Sequence, residues 1–300
     1  MTPNDLFSDS SDTPADDAAT NGVAALDGIR VGIGGWTYVP WRKNFYPDGL
    51  VQRRELEYAS HRLSTIEING TYYGTQKPDI YARWAAETPS GFLFSAKAPR
   101  RIMQSRVLAR TGGQVDDFLG GIASLGDRLG PIVWQFDSGT VLDRDDFAAF
   151  LDLLPATVDG HALRHVLDVR DPDFMDADTL ALIRRHRMAT VFTDSTQYPS
   201  FADVTGDFVY ARLMRSQSAI ATGYAPADLD RWVARARCWA GGGEPDDLPR
   251  IVPRGNPEQT GKTSPTPSAT PHRDVFIYFI SAAKERNPAA AMALIERLRC

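Results

Sequence analysis

The chain has 300 residues, of which 43% are hydrophobic and 24% charged, the balance of a globular protein rather than a fibrous or intrinsically disordered one. Its net charge of −5 is uneven, because residues 1–28 carry six Asp and no Lys or Arg, which leaves the rest one unit positive. That near-neutral body excludes a basic nucleic-acid coat, though not a local basic cleft, and two cysteines, Cys238 and Cys300, argue against a disulfide framework.

Residues 1–28 are rich in Asp, Ser, Thr, Ala and Pro. They cannot bury enough apolar surface to offset their ordering entropy, so they read as a disordered acidic tail. They also lack the basic start and apolar stretch of a secretory signal, which predicts a cytoplasmic address. No apolar run reaches the ~18 residues that a membrane span needs, so no membrane partner is expected. The body, 29–300, alternates short apolar runs with helical patterns. Strands are predicted at 29–34, 64–69, 92–97, 131–136, 163–169, 189–194, 208–213 and 275–280. Helices are predicted at 50–61, 78–87, 143–154, 177–187, 226–240 and 288–299. The link 195–207 is too short and polar for a full helix.

Strict alternation predicts parallel pairing, and eight strands predict one (β/α)8 TIM-barrel domain, with a doubly wound open sheet as the competitor. The Gly- and Pro-rich stretch 241–273 is a low-complexity insert that only Leu248, Ile251 and Val252 could anchor. Lying between the seventh helix and the eighth strand, it is expected at the barrel's N-terminal rim, away from any chemistry.

Alternation along a strand assigns the inward residues. With Ile66, Ile68, Phe94, Ala96, Leu167 and Val169 facing helices, Glu67, Asn69, Lys97, Asp168 and Arg170 face the barrel axis. In the seventh strand, Tyr210 and Arg212 alternate with Val209, Ala211 and Leu213; Gln135 ends the fourth strand and Asp194 the sixth. A barrel would gather Glu67, Asp168 and Asp194 with Lys97, Arg170 and Arg212 at its C-terminal rim. Such groups are costly to bury unpaired, so they must pair with one another or with a ligand. Glu67, Lys97 and Asp168 are the candidate proton-transfer groups. Asn69, Gln135, Arg170, Asp194 and Arg212 are candidate ligand contacts, the guanidinium forks suiting phosphate or carboxylate.

The loop after the first strand, GGWTYVPWRKNFYPDG, places Trp36, Tyr38, Trp41, Phe45 and Tyr46 beside Arg42 and Lys43. Trp36 and Tyr38 are candidate stacking groups for a sugar or base, although such rings more often pack a loop onto its barrel. Gly32, Gly34 and Gly35 lack the Lys-Ser/Thr ending of a phosphate loop and read as close-packing and turn positions. No histidine pair has metal-ligand spacing, so no metal site is assigned, and the sequence names no cofactor.

The motifs as a set resemble the YecE-like proteins, domain of unknown function seventy-two. The likeness runs through Gly34-Gly35-Trp36-Thr37-Tyr38, Phe45-Tyr46-Pro47, residues 65–73 (TIEINGTYY), 94–100 (FSAKAPR), 207–213 (DFVYARL) and Tyr278-Phe279. The resemblance implies a TIM barrel and a site location; the family's activity is not established. Where relatives commonly carry rim histidines, this chain has Gln104, Asp171 and Met214; Ile280-Ser281 replaces a usual Asn/Asp pair, and Asp168 a usual Glu. The charged floor is kept while rim groups that titrate near neutrality are absent, which reads as reduced proton-transfer capacity. Two functions stay open. One is a barrel, hydrolase or isomerase if an enzyme, with a pocket for a small phosphorylated or carboxylated molecule. The other is a non-catalytic module that binds nucleic acid through the loop after the first strand.

Overall fold

Eight strands pair in parallel around a closed ring, each beside its sequence neighbour and the last beside the first. A computed structural model describes residues 22–140, 142–253 and 272–300. The strands are β1 (Ile29–Gly34), β2 (Thr65–Ile68), β3 (Leu93–Lys97), β4 (Leu129–Phe136), β5 (His165–Val169), β6 (Ala189–Thr193), β7 (Phe208–Leu213) and β8 (Asp274–Phe279). Around them lie α1 (Glu55–Ser60), α2 (Pro78–Ala86), α3 (Arg100–Met103), α4 (Gly112–Ile122), α5 (Arg144–Asp152), α6 (Ala177–Arg185), α7 (Pro226–Ala240) and α8 (Asn287–Arg299). The closed ring rules out the open sheet.

Several helix starts follow from local chemistry. The Asp143 carboxylate accepts the Asp145 and Asp146 amides at the start of α5, and Asp176 accepts Thr179 N at the start of α6. Pro78 and Pro226 open α2 and α7, where a missing N–H costs nothing. The sequence reading omits α4, whose glycines at 112, 113, 120 and 121 mask a buried face of Val115, Phe118, Leu119 and Ile122.

Outward strand residues pack under the helices in one large core, while Val133, Val166, Ala189, Val191, Phe208, Tyr210, Phe276 and Tyr278 fill the barrel. Tyr210 and Tyr278 stack at 4.8 Å across its middle. β1 offers this interior Arg30, whose guanidinium lies 5.6 Å over the Phe276 ring, and then Gly32, which has no side chain. A Cβ on Gly32 would lie 1.9 Å from the Thr65 carbonyl oxygen, so only glycine permits the β1–β2 approach.

His165 is held in the wall of β5, accepting Trp134 Nε1–H at 3.0 Å and donating from Nε2 to Pro155 O at 2.8 Å. Burial lowers its pKa below the ordinary 6.5. The unfolded chain therefore binds a proton that the folded chain refuses, and stability falls as pH drops through about 6.5. The urea midpoint should decline between pH 7 and 5 in the native chain, and this component should be smaller in His165→Gln; identical slopes would refute it.

Two outer segments depart from expectation. Residues 1–21 and 254–271 lie outside the described residues. The described end of the tail is not loose: Val23 and Leu26 pack against the core, and Gly28 O accepts Val275 N at 3.0 Å. The described start of the insert does not stay at the N-terminal rim. Pro249 O accepts Ala202 N, and the Asp203 carboxylate accepts the amides of Ile251 and Val252. This stretch covers the barrel beside the 195–207 link, where no helix stands, and Leu248 is buried there as the sequence anticipates.

Candidate functional site

The inward residues at the C-terminal strand ends meet as alternation predicts. Arg212, on β7, is 3% exposed and spans the mouth. Its Nε and Nη2 donate to Glu67 Oε2 at 2.9 and 2.8 Å, and Nη1 donates to Asp168 Oδ2 at 2.6 Å and Gln135 Oε1 at 3.2 Å. Tyr210 donates its hydroxyl proton to the same Glu67 oxygen at 2.5 Å, which leaves Ser95 to donate to Tyr210 at 2.8 Å. Arg170 reaches Asp168 and Gln135 and lies 3.8 Å from Asp137, with the Tyr198 ring over its guanidinium. Asp137 also accepts hydrogen bonds from Tyr72 and Gln135.

Two groups are left over. The Nζ of Lys97 lies 3.8 Å from the Tyr72 ring centroid and has no carboxylate partner among the described residues. Burial, reinforced by Arg212, lowers its pKa to about 8, against the pull of Glu67. Glu67 Oε1 is buried with no hydrogen-bond partner among the described residues. Lys97 opens onto a cleft of about 600 Å³, whose lining includes Trp36, Asn69, Tyr72, Trp84 and Lys284. Lys284 lies over the rings of Tyr38 and Trp41, also lacks a carboxylate partner among the described residues, and has its pKa lowered by burial. The cleft thus faces two ammonium groups that form no salt bridge among the described residues.

The turn after β8 that carries Lys284 is strained. Ser281 and Ala282 have φ of 59° and 46°, a region that non-glycine residues enter at a cost of about 1–3 kcal/mol each. Buried Asn287 holds the turn, donating to Ser281 O at 3.2 Å while accepting from Ser216 at 2.8 Å.

Asp194 corrects the expected set. β6 ends at Thr193, and it is Val191 that packs in the interior, so Asp194 points out of the barrel. There it accepts Met214 N at 2.5 Å and the Tyr224 hydroxyl at 3.0 Å, beside a separate cavity of about 430 Å³ that Leu248 and Pro249 also line. Asp137, two residues beyond Gln135, takes its place as the third acid of the mouth. Continuing the alternation past the strand end would have found it.

Most of the aromatic loop is structural. Trp41, Phe45 and Tyr46 are buried. Trp36 faces the cleft, edge-on to Trp84 at 4.9 Å, whereas Tyr38 does not line it and packs on Trp41 at 5.3 Å. Asn69 lines the cleft under Gly34, where a Cβ would come within 2.8 Å of its amide nitrogen. Gln104, Asp171 and Met214 are not among the cleft-lining residues. Among the described residues, no three His, Cys, Asp or Glu side chains form a metal-ligand group, and no helix is long and apolar enough to cross a membrane.

A family model described as "Protein of unknown function DUF72" matches residues 30–252. The UPF0759 protein YecE of Escherichia coli K12 is 29% identical over 148 residues, which are 49% of this chain and 50% of that protein, and YecE of strain O157:H7 matches equally. The aligned part spans about half the length of these curated relatives. A DUF72 family crystal structure from Thermotoga maritima superposes with a TM-score of 0.65 at 16% identity, covering 90% of this chain and 98% of the other. One from Enterococcus faecalis gives 0.61 at 15%, covering 91% and 98%. Both share the fold.

Proposed function

The chain belongs to the DUF72 family, and from that premise we propose that its C-terminal cleft binds a small molecule carrying a phosphate or carboxylate. One observation carries this reading: Lys97 and Lys284 face one cleft with no carboxylate partner among the described residues, while both mouth arginines are engaged by Glu67, Asp168, Asp137 and Gln135. Desolvating a cation without a partner is unfavourable, and a ligand anion would supply the missing charge. The arginines and acids then form a fixed, ion-paired floor, and the lysines are the contacts. Trp36, Tyr72 and Trp84 form flat walls for the remainder of the molecule. Asp168 is committed to both arginines, so Glu67 Oε1 and the Lys97 amine are the groups placed to move a proton.

Lys97→Met separates binding from folding. Removing an unpaired buried charge should leave the melting temperature equal or higher, while affinity for inorganic phosphate or malonate falls at least about tenfold. Titration calorimetry across pH provides the second check. Lys97 is charged below about 8 and neutral above, so affinity in the native chain should fall as pH rises through about 8. An unchanged affinity in Lys97→Met sinks the proposal.

A further inference from the structure

We infer that Lys97 is the nucleophile of an imine-forming site, and that the ligands of the cleft are small anionic aldehydes or ketones whose charge rests on Lys284. The inference builds on the anion-site reading and adds the reacting group. Five lysines occur in the chain: Lys43, Lys77, Lys97, Lys262 and Lys284. Lys43 and Lys77 are exposed on the surface. Lys97 stands at an inward strand end, walled by the Tyr72 ring, with the Arg212 guanidinium among the charges that act on it and no acid bound to its nitrogen among the described residues. A desolvated amine beside another cation sheds its proton readily, which is how enzymic lysines become nucleophiles. With the pKa near 8, about one molecule in ten carries the free amine at pH 7, against roughly one in three thousand for an ordinary lysine.

The step balances without an oxidant or reductant. The Nζ lone pair forms a C–N bond to the carbonyl carbon, and the π pair moves to oxygen, which takes a proton. The nitrogen loses a proton, the hydroxyl takes another and departs as water, and a protonated imine remains. A nearby acceptor must ferry these protons. Glu67 Oε1 is suited to that task, because β2 and β3 pair Glu67 with Ser95, one inward position before Lys97, and this oxygen holds no other hydrogen bond among the described residues. Lys284, on the same cleft, is left to hold the carboxylate or phosphate.

The test uses the full chain with glyoxylate and sodium cyanoborohydride, read by intact mass and peptide mapping. Lys97 should be carboxymethylated at least about tenfold faster than Lys43 or Lys77 at neutral pH. Its rate should level off above pH 8 while theirs keeps rising, and added inorganic phosphate should slow Lys97 alone. Propanal, which has no anion, should show a smaller preference for Lys97. Modification no faster at Lys97 than at Lys43, with phosphate still binding, overturns the imine chemistry and spares the anion site. Failure of both overturns the two readings together.

Discussion

Arg212→Met is expected to lower folding stability by about 3–5 kcal/mol, read as a large drop in urea midpoint or as failure to yield folded protein. Arg212 donates to Glu67, Asp168 and Gln135 from a position that solvent hardly reaches. Burial alone would lower its pKa, yet the two acids outweigh that and hold it firmly protonated. Methionine keeps only the apolar stem and leaves both acids buried; Glu67 keeps only Tyr210, and Asp168 only Arg170. The cost is that of stranded charge rather than of lost packing, so Glu67→Gln in the same background should recover part of the stability. Recovery would also show that the network is a unit. A stability loss under about 1 kcal/mol in Arg212→Met would mean that water enters the mouth and solvates the acids, and the cleft's dry floor would have to be abandoned.

Arg212→Met and Lys97→Met are opposite experiments on neighbouring cations. The first removes a partner that two acids need, and the second removes a charge that forms no salt bridge among the described residues. A mouth built only as an ion-pair plug would have no reason to keep an unpaired lysine beside five ion-paired groups. The contrast in expected stability therefore distinguishes structural charge from charge held in readiness for a ligand.

Strand parity explains what could be read from the sequence. Glu67, Lys97, Gln135, Asp168 and Arg212 each sit at an alternate position from a run of apolar residues, and period two decides their direction once the barrel closes. Asp194 lies one residue past the end of β6, where Val191 sets the inward parity, so it faces out. Loops obey no such period. Tyr72 lies in a short 3-10 turn after β2, and Lys284 in another after β8; their approach to the cleft depends on the backbone path and on contacts 243 residues apart in sequence, such as that of Trp41 with Lys284. The acidic floor was therefore legible, while the second lysine was not.

Trp41→Phe tests how that second lysine is positioned. The indole Nε1 donates to Lys284 O at 2.8 Å, and Asn44 Nδ2 donates to Glu285 O at 2.9 Å, so two hydrogen bonds latch the loop after β1 to the strained turn after β8. Trp41 is fully buried, and truncation to alanine should cost about 3–5 kcal/mol, enough to obscure any effect on the site. Phenylalanine keeps most of the ring contact with Phe45 and Tyr38 but removes the N–H, leaving the Lys284 carbonyl only the Asn287 amide, at a cost of about 0.5–1.5 kcal/mol. The turn is already in an unfavourable backbone conformation, so losing the latch should let it relax and carry the ammonium off its aromatic bed. Phosphate affinity should then fall about three- to tenfold in protein that remains folded, since a displaced charge forfeits about a kcal/mol of attraction. If Trp41→Phe is destabilised while phosphate binds as tightly as before, Lys284 is not a ligand contact, and Lys97 would have to hold the anion by itself.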